Sequence, residues 1–128
     1  MALHNQLLLN GRAKRPMMGE EETISWMKDL VKQIDMKIIQ GPYASYVNKE
    51  GNRGVTCVVM IETSHIALHI WDEISPALIQ FDLYTCSTLP VEDVLKNLED
   101  TFDLDTYDYI VLERSEAFNV EELGSKAI

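Results

Sequence analysis

The stretch Ser64-His65-Ile66-Ala67-Leu68-His69-Ile70-Trp71 alternates without a break. In an extended chain Ile66, Leu68 and Ile70 face one side, and His65, Ala67, His69 and Trp71 face the other. A β-branched run from Val55 to Ile61 precedes it, with only Glu62 and Thr63 between. Another apolar strand, Ala77 to Cys86, follows. Consecutive strands joined by turns this short favour an antiparallel sheet, since parallel strands need a long crossover.

The remaining elements fit around that sheet. Leu3 to Asn10 reads as a first strand. Gly11 to Gly19, broken by Gly, Pro and basic residues, reads as a loop. Glu20-Glu21-Glu22 opens a helix, because acids complement the positive end of its dipole. Ile24, Met27, Leu30, Val31 and Ile34 then share one helical face. Met36 to Val47 reads as a strand bent at Gly41-Pro42, and Asn48 to Gly54 as a polar turn. Thr88 and Pro90 mark a second helix, whose apolar face is Val91, Val94, Leu95, Leu98 and Phe102. Tyr107 to Leu112 is the last clear strand, and the polar tail after Arg114 is expected to fray. The order β-α-β-β-β-β-α-β predicts a two-layer α+β domain over residues 1–128, with an antiparallel sheet and both helices on one face. If the far face is apolar it needs a cover, and a sheet-to-sheet homodimer is expected.

Composition narrows the partners. The chain carries 11 Lys and Arg against 21 Asp and Glu, a formal net charge of -10. Nucleic acid selects for a basic face, so no nucleic-acid partner is expected. No apolar run approaches the roughly 20 residues of a membrane helix. Leu7-Leu8-Leu9 is too short for a signal-peptide core. A cytoplasmic protein with no membrane partner is expected, and its two cysteines, Cys57 and Cys86, are read as free thiols.

Ser64, His65, His69, Glu73 and Cys86 lie on or beside neighbouring strands and could carry chemistry. A serine hydroxyl at a strand junction can attack the carbonyl of the residue before it, here Thr63, when the backbone is strained and a base is near. Serines at such junctions more often satisfy turn hydrogen bonds. His65 and His69 are four apart, which on a strand is about 13 Å. One metal ion cannot bridge that gap, and no metal is expected. Either histidine could serve as a general base. Cys86 ends an apolar strand and is core unless partly exposed beside charges. Cys57, inside a strand, reads as core. Glu73 could take a ribose or an amine.

Together these residues resemble one family, the short prokaryotic type of S-adenosylmethionine decarboxylase. That family has a self-cleaving serine followed by histidine, a second histidine four residues on, then an aromatic residue, usually a proline, and a glutamate. A later strand ends in threonine-cysteine. Ser64, His65, His69, Trp71, Glu73, Thr85 and Cys86 are similar to that order, and Gly54-Val55-Thr56 resembles the family's Gly-Val-Ser. The overlap runs from about Gly54 to Cys86. The chain departs from the pattern with Thr63 in place of a glutamate, Asp72 in place of the proline, and Ser87 in place of a glycine.

The resemblance implies a self-processing enzyme. Cleavage between Thr63 and Ser64 would turn Ser64 into a pyruvoyl group, the only cofactor implied. Thr56 and His69 would assist cleavage, and Cys86 would reprotonate the product carbon. Glu73 would bind the ribose of S-adenosylmethionine, Trp71 and His65 would also bind substrate, and Tyr46 or Tyr43 are candidates to stack on adenine. The product would supply aminopropyl groups for spermidine synthesis. Two alternatives stay open: a pyruvoyl-dependent decarboxylase of ornithine or arginine, and an uncleaved, non-catalytic subunit that binds or regulates an active protomer.

Overall fold

The computed structural model describes residues 3–126. It places the alternating segment near the middle of a wholly antiparallel sheet. The elements are β1 (Asn5–Ala13), α1 (Glu20–Gln33), β2 (Ile38–Val47), β3 (Gly54–Ile61), β4 (Ser64–Trp71), β5 (Ala77–Thr85), α2 (Val91–Phe102), β6 (Leu104–Glu113) and β7 (Asn119–Lys126). The strands lie in the order β2-β3-β4-β5-β1-β6-β7. This is the expected α+β sandwich. The first strand is therefore inserted between β5 and β6, two strands that flank a helix in sequence.

Both helices cover the face that carries Ile66, Leu68 and Ile70. All three are buried, with Leu7, Leu9, Val55, Cys57, Val59, Ile79, Phe81 and Leu83 from the flanking strands. Met27, Leu30 and Val31 of α1 and Val94, Leu98 and Phe102 of α2 close the core from above. Trp26 joins three elements. Its ring stands edge-on to Phe81 at 6.3 Å and to Phe102 at 5.3 Å. Its indole N–H donates to Asn97 Oδ1 at 2.8 Å, so the one polar atom it buries is satisfied. At the start of α1 the Glu22 carboxylate accepts from the backbone N–H groups of Met18 and Gly19, both at 2.9 Å, a cap for donors with no helical partner.

Three boundaries differ from the sequence reading. β1 runs on through Gly11 to Ala13. β6 starts at Leu104, directly after Asp103 turns the chain with φ = 49°. The tail, expected to fray, forms β7 and pairs with β6 from Tyr107↔Lys126 to Glu113↔Asn119. Its side chains are nearly all exposed, so it lacks the alternation that signals a half-buried strand. Backbone pairing holds it, together with Tyr109, whose ring lies against Gly124 where a Cβ would meet it at 2.3 Å. The bend in β2 falls as expected. Gly41 has φ = 87°, and the β2–β3 register shifts between Ile38 and Gln40 and again between Gln40 and Tyr43, the interval that holds Gly41.

The far face of the sheet is not covered by this chain. It shows Tyr43, Val58, Met60, Leu8 and Leu123, from 36% to 71% exposed, among the polar side chains of the candidate site. Among the described residues, no helix is long and apolar enough to cross a membrane.

Candidate active site

Ser64 opens β4 directly after the two-residue turn Glu62-Thr63, with Ile61 paired to Ser64 across the hairpin. Its φ is 143°. L-residues rarely adopt that conformation, and when they do the surrounding structure must hold it. Two backbone bonds supply the hold. The Glu62 N–H donates to the Lys37 carbonyl at 2.9 Å, and the Cys86 N–H donates to the Thr63 carbonyl at 2.8 Å. The second bond matters chemically, because that carbonyl belongs to the peptide bond preceding Ser64. Ser64 is also in register with Thr85, so Cys86 lies beside the hairpin although the sequence separates them widely. Cys86 is partly exposed. Cys57 is fully buried, and burial pushes its thiol up to about 11, which makes it the inert core residue expected.

Thr56 and His69 are cross-strand partners on the far face. Thr56 Oγ1 and His69 Nδ1 are 3.0 Å apart, and the His69 ring stacks on Trp71 with centroids 5.8 Å apart and planes 25° apart. The imidazole is thus fixed from two directions, which leaves its Nε2 for other work. The register of β3 against β4 depends on Gly54. With φ = 155° a Cβ there would stand 1.8 Å from the Ile70 carbonyl oxygen.

His65, next to Ser64, is 3.4 Å from Asp82 Oδ2. Asp82 Oδ1 accepts from Gln6 Nε2 at 2.8 Å, and Gln6 Oε1 accepts from Arg114 Nη1 at 2.8 Å. The row crosses β4, β5 and β1 to the end of β6. Arg114 also lies over the Tyr84 ring at 4.8 Å. Gln6 and Arg114 were not legible as site neighbours. The β4–β5 pairing sets Asp82 beside His65, and the place of β1 between β5 and β6 adds Gln6 and Arg114.

Glu73 and Trp71 lie at the opposite end of β4 from Ser64. They line a surface cleft of about 380 Å³ with Gly51, Ile74 and Leu78. The Glu73 carboxylate accepts from the backbone N–H of Gly51 at 3.1 Å and of Arg53 at 3.0 Å. Those two bonds hold its pKa below the usual carboxylate range. Tyr46 does not line this cleft. Its hydroxyl donates to Asp72 Oδ2 at 2.7 Å. Tyr43 is on the far face of β2, 59% exposed. Among the described residues, no group of three or more His, Cys, Asp or Glu side chains is placed to hold a metal ion.

A serine in strained backbone, a cysteine beside it and, farther along the same strand, a histidine held from two directions lie on the sheet of one two-layer α+β domain. The S-adenosylmethionine decarboxylase family model matches residues 9–115, and the chain belongs to that family. It is 28% identical over 103 residues to an S-adenosylmethionine decarboxylase proenzyme of Archaeoglobus fulgidus, covering 79% of this chain and 87% of that protein.

Proposed function

We propose that this chain cuts itself between Thr63 and Ser64, converts Ser64 into a pyruvoyl group, and decarboxylates S-adenosylmethionine as a homodimer. The product would be an aminopropyl donor for spermidine synthesis. The observation that carries the reading is the Cys86 N–H on the Thr63 carbonyl, next to a serine at φ = 143°. When Ser64 Oγ adds to the Thr63 carbonyl carbon, negative charge develops on the oxygen that this N–H already holds. Collapse breaks the Thr63–Ser64 C–N bond and leaves an ester and a free Ser64 amine. Removal of the Ser64 α-proton then expels the Thr63 carboxylate. Water replaces the nitrogen, ammonia leaves, and a ketone remains as the new N-terminus.

The residues present fit such a group, because the strained serine and the carbonyl donor stand where its formation needs them. Once formed, the group supplies an electron-accepting carbonyl for the loss of carbon dioxide. Cys86 Sγ holds the proton that the product carbon takes up. Glu73 accepts the ribose hydroxyls, and Trp71 walls the cleft beside it.

A distance supports the dimer, if His69 assists cleavage as the resemblance implies. His69 is five residues from Ser64, about 17 Å along the strand, and cannot act on it within one chain. A second copy laid against the exposed far face, in the opposite sense, would bring its Thr56–His69 pair to Ser64 and its Glu73 cleft to Cys86. The uncovered Tyr43, Val58, Met60 and Leu8 support that arrangement.

Intact-mass measurement of the purified chain tests the first step. Two fragments are expected, the second beginning with a pyruvoyl group, while Ser64→Ala stays whole. A wild-type chain that stays whole after long incubation would leave a non-catalytic subunit. Carbon dioxide release by cleaved protein, compared among labelled S-adenosylmethionine, ornithine and arginine, tests the substrate.

A further inference from the structure

The polar turn between β2 and β3 is fastened to the end of β4 by three consecutive residues. Trp71 Nε1 donates to Asn52 Oδ1 at 3.0 Å. Asp72 accepts Arg53 Nε on Oδ1 at 2.7 Å, and the same guanidinium reaches the Asp72 backbone carbonyl through Nη2 at 3.1 Å. Glu73 accepts the Gly51 and Arg53 N–H groups. The Asp72 side chain is only 2% exposed, against 41% for Arg53. Its second oxygen takes the Tyr46 hydroxyl. A carboxylate removed from water this far is stable only while paired, so the clamp holds the turn closed. A planar guanidinium can bond a side chain and a main chain at once; a lysine ammonium lacks that fork.

The two N–H groups that fix the Glu73 carboxylate come from the turn that this clamp holds. A carboxylate offers about four acceptor positions. With one on each oxygen taken by backbone, one on each remains, close enough together to accept from two neighbouring hydroxyls. The walls beside it, Trp71, Ile74 and Leu78, suit the carbon skeleton of a ring.

We propose that Arg53 and Asp72 are positioning residues that act through Glu73 and set this cleft's preference for a vicinal diol. The proposal rests on the reading of Glu73 as the ribose-binding residue. Where the resemblance leads one to expect a proline at position 72, this chain carries an acid whose charge is spent on Arg53. Asp72 is thus not free to hold a substrate amine or guanidinium.

The test uses Arg53→Lys, with Asn52→Ala as a milder variant that removes only the Trp71 acceptor. Each is made in wild type and in a Glu73→Gln background. Binding of adenosine and of 2′-deoxyadenosine is measured by calorimetry on full-length Ser64→Ala protein, and KM, kcat and self-cleavage rate on the processible chains. Arg53→Lys should weaken adenosine binding and raise KM by about tenfold, the equivalent of one charge-assisted hydrogen bond. It should leave kcat, self-cleavage and deoxyadenosine binding unchanged, and should add nothing when Glu73 is already Gln. The rise in KM on acidification should also begin at higher pH in Arg53→Lys, because Glu73 loses its backbone donors; Arg53 and Asp72 are the charged groups beside it. Equal losses for both nucleosides, or an undiminished loss in the Glu73→Gln background, would overturn the proposal. If the cleaved protein uses a basic amino acid instead, the ribose reading of Glu73 fails and the diol preference with it. The same double-mutant cycle read on that substrate's KM then decides the positioning claim alone.

Discussion

The backbone N–H of Cys86 donates to the carbonyl oxygen of Thr63 across the mouth of the β3–β4 hairpin, at 2.8 Å. One residue therefore offers two separable groups to the proposed chemistry. Its N–H serves the cleavage step, and its thiol serves turnover.

Cys86→Ala keeps the N–H and should still cleave, yet lose most decarboxylation. Cys86→Pro removes the N–H and should slow cleavage by about 10²–10³, the usual effect of deleting one such donor. Gel analysis of freshly made protein over time gives both rates. Equal cleavage by the two variants would remove the Cys86 N–H from the mechanism.

Ser64→Ala cannot be cut, and His69→Ala should be cut poorly. Expressed together, they should form mixed dimers in which intact His69 of one chain serves Ser64 of the other. Cleavage of the His69→Ala chain should then reappear, read by mass on differently tagged chains. If it does not, His69 works within its own chain or not at all. Thr56→Val should slow cleavage by about tenfold, because it takes one hydrogen-bond partner from the imidazole.

Phe102 is fully buried between Trp26 and the sheet. Phe102→Ala should cost about 3–5 kcal/mol of unfolding free energy, from lost burial and the cavity left behind. Urea denaturation followed by Trp fluorescence measures it. A loss below about 1 kcal/mol, the size of an ordinary surface change, would mean α2 is not seated as described.

Cys57 and Cys86 should separate cleanly toward alkylating reagents. Near pH 8 the native chain should take one label, at Cys86, and the unfolded chain two, counted by peptide mass. The Cys57 thiol is raised from 9.0 to about 11 by burial. Below pH 9 it is protonated in both states and contributes nothing to pH dependence. Between about 9 and 11 the unfolded chain has released a proton that the folded chain keeps, so stability falls as pH rises. Cys57→Ala should flatten that part of the curve.

The strands were legible where one face is buried and the other is not. Ser64 to Trp71 is such a case, and its alternation fixed the register of Ile66, Leu68 and Ile70 on the core side. The helix faces were legible for the same reason, since Met27, Leu30 and Val31 repeat at the helical period. β7 was not, because nearly all its side chains meet solvent and its stability comes from backbone pairing with β6. The Arg53–Asp72 pair was not legible either. A turn arginine and an acid after a strand are each ordinary in sequence, and only the hairpin closure buries the acid.

By itself the sequence determined the periodic elements, the antiparallel hairpins and the residue types of the site. It also determined that His65 and His69 lie too far apart along one strand to share a metal ion, because strand rise is nearly constant. The tertiary structure decided the rest. It inserted β1 between β5 and β6, which joined Gln6 and Arg114 to Asp82 and His65. It set Cys86 on the Thr63 carbonyl through the β4–β5 register. These contacts join residues that are distant in the chain. Local propensity does not encode such pairings; they form only when the whole sheet closes over one shared core.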